Sequence, residues 1–276
     1  MLADAGPACD DFRSAMWSIH KDRCGGAPGQ EVNNHALRRL GAALRRTVRS
    51  VGRGPTRGPC RGGRVARVLR LGPRQLAATD NVRRRPVKVA RETATLDRLS
   101  GGRLVLGAGL GDDRFGYEFS KTGDELDGRV RGEMLDEALA ILPTAWSGRP
   151  VRHRGTHYLV DDITFRPRSV QPTIPIWIAG FPGNVVPLRR AARFHGYFPV
   201  NLDSPEQVAD AVGVLADLRE NHTPTEPFDI AVACAPSADV AAYAEAGATW
   251  WLTDFEPEAL TIGHIRAVID DGPVGY

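Results

Sequence analysis

The stretch from Arg84 to Gly111, RRPVKVARETATLDRLSGGRLVLGAGLG, constrains the fold more than any other part of the chain. Pro86 suits a first helical turn, where its missing N–H has no partner to lose. Val89, Thr93 and Leu96, beside Ala90 and Ala94, recur at helical spacing and predict an apolar stripe. Ser100, Gly101 and Gly102 stop that helix, because glycine enters a left-handed C-terminal turn without strain. Arg103 to Ala108 is a short apolar run, as expected of a strand buried on both faces. It runs into Gly107, Gly109 and Gly111, where a ligand can approach the backbone closely. Helix, tight turn, buried strand and glycine loop together predict an α/β barrel or an open parallel sheet.

The same rhythm continues downstream. Leu126, Val130, Met134, Leu135, Ala138, Ile141 and Leu142 predict a helix over 124–142, which Pro143 should end or kink. The runs 151–153 and 157–160 flank Arg154–Gly155–Thr156 as a small hairpin. Strands are predicted at 174–179, 197–200, 228–234 and 248–253, and helices from 187, from 204 to 220, over 237–246 and over 257–270. Ser204–Pro205–Glu206–Gln207 reads as a capping box with proline at the first helical position. After residue 85 that makes five core strands, near 104, 176, 198, 230 and 250, in a β–α repeat. A closed eight-stranded barrel needs three more.

Two long segments carry a resemblance. ETATLDRLSGGRLVLGAGLG and PIWIAGFPGNVVPLRRAARFHGYFP, with the weaker GATWWL at 247–252, are similar to luciferase-like oxidoreductases that depend on flavin or deazaflavin (coenzyme F420). The match follows the family's order over roughly the last two-thirds of the chain. It implies a TIM-type (β/α)8 barrel, irregular or incomplete over its first three units, and an oxidoreductase of the luciferase-like monooxygenase type. FMN or coenzyme F420 would be the cofactor and a small organic molecule the substrate.

In such barrels ligands bind at the carboxyl ends of strands. The resemblance places Gly107, Gly109 and Gly111 as a wall against the cofactor ring, with Asp112 at the mouth as a carboxylate able to exchange a proton. Read from the residues alone, the same segment is an ordinary strand–loop turn with Asp112 and Asp113 as solvated acids. Gly180, Phe181, Gly183 and Asn184 match the family's phosphate loop, and amides ahead of a helix suit an anion. The plainer reading is a βα turn that needs glycine for its geometry. Arg189 and Arg190 would assist, or lie solvated on the helix face, and the loop 200–203 would line the pocket. No catalytic triad or metal set is visible.

Charge separates the first part of the chain from the rest. Residues 1–85 carry 17 Arg and one Lys against six acidic residues, a net of +12, whereas the remainder has 18 basic and 27 acidic residues, a net of −9. A helix is expected over 35–51, a Gly/Pro/Arg-rich linker over 52–63 and a strand over 65–71. The division is an atypical, partly disordered Arg-rich segment over 1–83 and a barrel portion over 84–276. An out-of-register reading of a GC-rich gene would account for the Arg/Gly/Pro/Ala excess, and sequencing the locus tests it. A basic arm on nucleic acid is disfavoured because no recognition motif or aromatic platform accompanies the charge. A truncated, catalytically impaired barrel that binds only a phosphorylated ligand is the other alternative. Four cysteines without CxxC spacing, and no apolar run long enough for a membrane span, point to a cytoplasmic protein with no membrane partner. A homodimer is compatible with this reading.

Overall fold

The computed structural model describes residues 75–80, 83–113, 117–220, 227–255 and 261–271. The expected helix over 35–51, linker over 52–63 and strand over 65–71 lie outside them. The chain divides into two compact units, and the sheet falls within the one containing Gly62–Asp254. Helix α7 (Ile262–Asp271) belongs to the other.

Six parallel strands form the sheet, in the order β1 (Gln75–Asp80), β2 (Leu104–Gly109), β5 (Ile176–Gly180), β6 (Gly196–Pro199), β7 (Asp229–Cys234) and β8 (Trp250–Thr253). The five strands expected after residue 85 are all present. The sixth, β1, pairs along its whole length with β2 and lies before Arg84. Among the described residues the sheet has six of the eight strands of a closed barrel, so the α/β fold is a partial TIM-type barrel.

Helix α1 (Pro86–Ser100) starts on its proline and ends at Gly101 with φ 69°. Its buried face differs from the expected stripe: Leu96 is exposed and Asp97 is fully buried. The carboxylate of Asp97 accepts the N–H groups of Val170 (2.7 Å) and Gln171 (2.9 Å) and the Gln171 side-chain amide (2.7 Å). A buried charge is tolerated when several donors converge on it. Helix α3 (Gly128–Ser147) continues past Pro143 for four residues instead of ending there. Fully buried Trp146 lies in that continuation and donates its indole N–H to Thr93 at 2.8 Å. This packing outweighs the one backbone bond that proline removes.

The hairpin β3 (Pro150–Arg154) and β4 (Leu159–Thr164) is antiparallel, as expected. Its turn is fixed by Glu137 of α3, which accepts the N–H groups of Thr156, His157 and Tyr158. The shorter helices are α2 (Glu118–Thr122), α4 (Val185–Ala191), α5 (Glu206–Arg219) and α6 (Val240–Glu245). At the start of α5, Gln207 reaches back to the N–H of Asp203 (2.8 Å), one residue earlier than the expected capping box.

The strands show one face to the helices. Leu104, Leu106 and Ala108 of β2, Ile176 and Ile178 of β5, Tyr197 of β6 and Ile230 and Val232 of β7 share the core with Val89, Leu135, Leu139 and Leu188. By strand alternation Val105, Gly107, Gly109, Trp177, Ala179, Phe198 and Ala231 lie on the other face.

Candidate functional site at the carboxyl ends of the strands

The pairing of β2 with β5 aligns Gly107 with Trp177 and Ala108 with Ile178. Because the strands are parallel, the loops after Gly109 and after Gly180 open on the same edge of the sheet. This brings the two expected loops together at one end.

The face turned from the helices is small-sided there. A Cβ built on Gly109 would touch the Cβ of Ala179 at 3.4 Å. Gly107 lies on the same face two residues earlier, buried inside β2 and not in the loop. Gly107, Gly109 and Ala179 thus leave a shallow surface, with Phe198 opposite Ala179 on β6. Gly109 and Ala179 are half-buried, whereas Gly107 and Phe198 are buried.

Beyond β2, Gly111 has φ 68°, the left-handed region that favours glycine. Asp112 follows, half-buried. Asp113 is engaged in structure, since its carboxylate accepts the N–H of Ser120 at 2.9 Å. That bond, with a smaller contribution from the charge of Arg131, lowers its pKa from the ordinary aspartate value.

The Gly180–Asn184 loop divides into parts with different physical reasons. A Cβ on Gly180 would fall 2.4 Å from the Cβ of Pro187, so glycine is required by the packing of α4 on β5. Its carbonyl accepts both the N–H of Val200 (2.9 Å) and the buried hydroxyl of Tyr197 (3.1 Å), which fixes the end of the strand. Burial raises the pKa of that tyrosine, so it stays a neutral donor. Gly183, at φ 76°, has open space where a side chain would be. Asn184 caps α4, its side-chain oxygen accepting the N–H of Val186 at 3.1 Å. With seven residues, α4 carries only a modest dipole, and the N–H of Asn184 is taken by the carbonyl of Phe181 at 3.2 Å.

Arg190 is neither solvated nor bonded to the Gly180–Asn184 loop. It is buried and holds Asp136 of α3 through two bonds, at 2.9 and 3.0 Å, while Arg189 is exposed. Asn201, in the third loop, has φ 57°, a left-handed conformation that asparagine tolerates better than most residues.

Residues that act across long sequence separations were missed. Arg131 donates from Nη1 to the Gly111 carbonyl at 3.3 Å and stacks over Phe119 at 4.8 Å, with Arg83 over the same ring at 5.3 Å. Arg83 in turn pairs with Glu118 and, at 3.0 Å, with Asp124. Its bonds to Glu118 and Asp124 outweigh the effect of burial and raise its already high pKa. No local spacing in the sequence signals these contacts.

Residues 69–263 match the model of the luciferase-like monooxygenase family. A coenzyme F420-dependent glucose-6-phosphate dehydrogenase from Microbacterium testaceum is 32% identical over 150 residues, 52% of this chain and 41% of that protein. The oxygenase component of a flavin-dependent trigonelline monooxygenase from Acinetobacter baylyi is 34% identical over 95 residues, 34% of this chain and 26% of that protein. The chain spans less than half the length of these curated relatives. Among solved structures, the coenzyme F420-dependent tetrahydromethanopterin reductase of Methanopyrus kandleri superposes with a TM-score of 0.52 at 21% identity, over 64% of this chain and 55% of that one.

Proposed function

This chain belongs to the luciferase-like monooxygenase family, and we propose that it is an oxidoreductase holding FMN or coenzyme F420 across the β2 and β5 strand ends. The observation that carries this reading is the adjacency of the two loops. The loops after Gly109 and Gly180 leave neighbouring parallel strands at one edge, above a surface of glycine and alanine.

In this reading Gly107, Gly109 and Gly111 form the wall against the ring. Gly180 fixes the strand end, and the loop of Phe181, Gly183 and Asn184 lies beside the phosphate. Asp112, at the mouth, accepts or returns a proton as a small organic substrate is oxidised or reduced. The bound cofactor supplies the redox chemistry, and the chain orients it.

Titration of the purified chain with FMN and with coenzyme F420, followed by absorbance and fluorescence, tests the proposal. Saturable perturbation of either chromophore is expected. A flat response to both overturns it.

A further inference from the structure

Arg131 combines three features that stability alone does not explain. It sits in the first turn of α3, where the helix dipole disfavours a cation and the offsetting carboxylate is that of the N-cap, Asp127. Its Nε is buried without a hydrogen-bond partner among the described residues. A buried unsatisfied donor destabilises a fold, so such a group calls for a reason. The third feature is where the guanidinium goes: one face lies on buried Phe119, and Nη1 holds the carbonyl of Gly111.

That carbonyl belongs to a left-handed glycine at the strand end. In a planar trans peptide the C=O and the following N–H point in opposite directions. Aiming the Gly111 carbonyl at α3 therefore turns the N–H of Asp112 away from α3. The same bond fixes the peptide plane from which Asp112 begins. Asp113 and Asp127 share the electrostatic field of Arg131. Each carboxylate is already held by backbone N–H groups, of Ser120 and of Arg129 and Val130 respectively.

We propose that Arg131 is a positioning residue of the site. It clamps the Gly111–Asp112 peptide and so sets the direction in which Gly111 and Asp112 face the cofactor ring. This rests on the oxidoreductase reading above.

The test uses the full chain with Arg131→Met and Arg131→Lys. Methionine keeps much of the packing on Phe119, and lysine keeps the charge. Both remove the orphaned Nε–H and the planar fork that reaches Gly111. The expected result is a little-changed melting temperature, a cofactor Kd raised about tenfold in both variants, and faster amide exchange at 111–113 without ligand. Unchanged exchange at those residues overturns the proposal, as does a melting temperature that falls in step with affinity in both variants. If the unmutated chain binds neither cofactor, the functional reading fails, and the ligand-free exchange measurement still decides the role of Arg131.

Discussion

The two ends of the parallel sheet are built on opposite principles. At the amino-terminal edge, side chains fill the space and satisfy one another. Asp229, buried at the start of β7, accepts the indole N–H groups of Trp177 (3.0 Å) and Trp250 (2.9 Å), whose rings lie 6.1 Å apart. Gly196 beside them has no room for a Cβ, which would fall 2.4 Å from Trp177. At the carboxyl edge the chain offers glycines, a small-sided face and left-handed residues at Gly111, Gly183 and Asn201. In the proposed reading one edge answers to stability and the other to a ligand. Substitutions at the first should unfold the protein, and substitutions at the second should empty it.

The largest effect is expected at the first edge. Asp229→Ala leaves two indole donors unsatisfied and should lower stability by about 3 kcal/mol, measured by denaturant unfolding. Asp229→Asn should recover part of the loss. A neutral Asp229→Ala would break the comparison.

Gly180 sharpens it, because it lies at the carboxyl edge yet answers to packing. Gly180→Ala should cost about 2 kcal/mol through the clash with Pro187. Gly183→Ala, in open space, should cost about 1 kcal/mol from its left-handed backbone alone. Thermal melts of the two variants would separate these cases.

A smaller, pH-dependent effect belongs to neither edge. Burial opposes ionisation of Glu137, but the bond from His153 and the N–H groups of His157, Tyr158 and Thr156 outweigh it and hold its pKa below the ordinary value. A depressed carboxyl pKa stabilises the fold above the unfolded value, about 4.3, and that contribution is lost as pH falls through the folded value. The stability gap between the protein and Glu137→Gln should therefore narrow between about pH 5 and pH 3. A constant gap would count against the assignment.

The smallest effect concerns Cys234. Burial, with a contribution from Asp254, pushes its thiol up to about 11. Peptide mapping after alkylation near neutral pH should find Cys234 unmodified until the protein is unfolded.

Much of this arrangement was legible from the sequence because it is written locally. The proline start and glycine stop of α1, the apolar runs of β2, β5 and β7 and the turn at Gly155 each depend on residues a few positions apart. Strand β1 was not visible because QLAATD has no β-branched run, and its pairing with β2 supplies what propensity does not. Asp97 and Asp229 escape a sequence reading because a carboxylate reads as surface until its donors, 21 to 74 residues away, are known. Candidate loops could be named from their glycines. Which glycine is held by packing and which is left open depends on Pro187, Ala179 and Arg131, none of them a sequence neighbour of the glycine it touches.

The central claim is that the β2 and β5 loops serve one bound molecule. Cofactor titration of Gly109→Leu and Gly183→Glu, each verified as folded by circular dichroism, tests it most directly. The account predicts that both variants weaken binding of the same cofactor at least about tenfold. Binding that falls in one variant and is untouched in the other would contradict it.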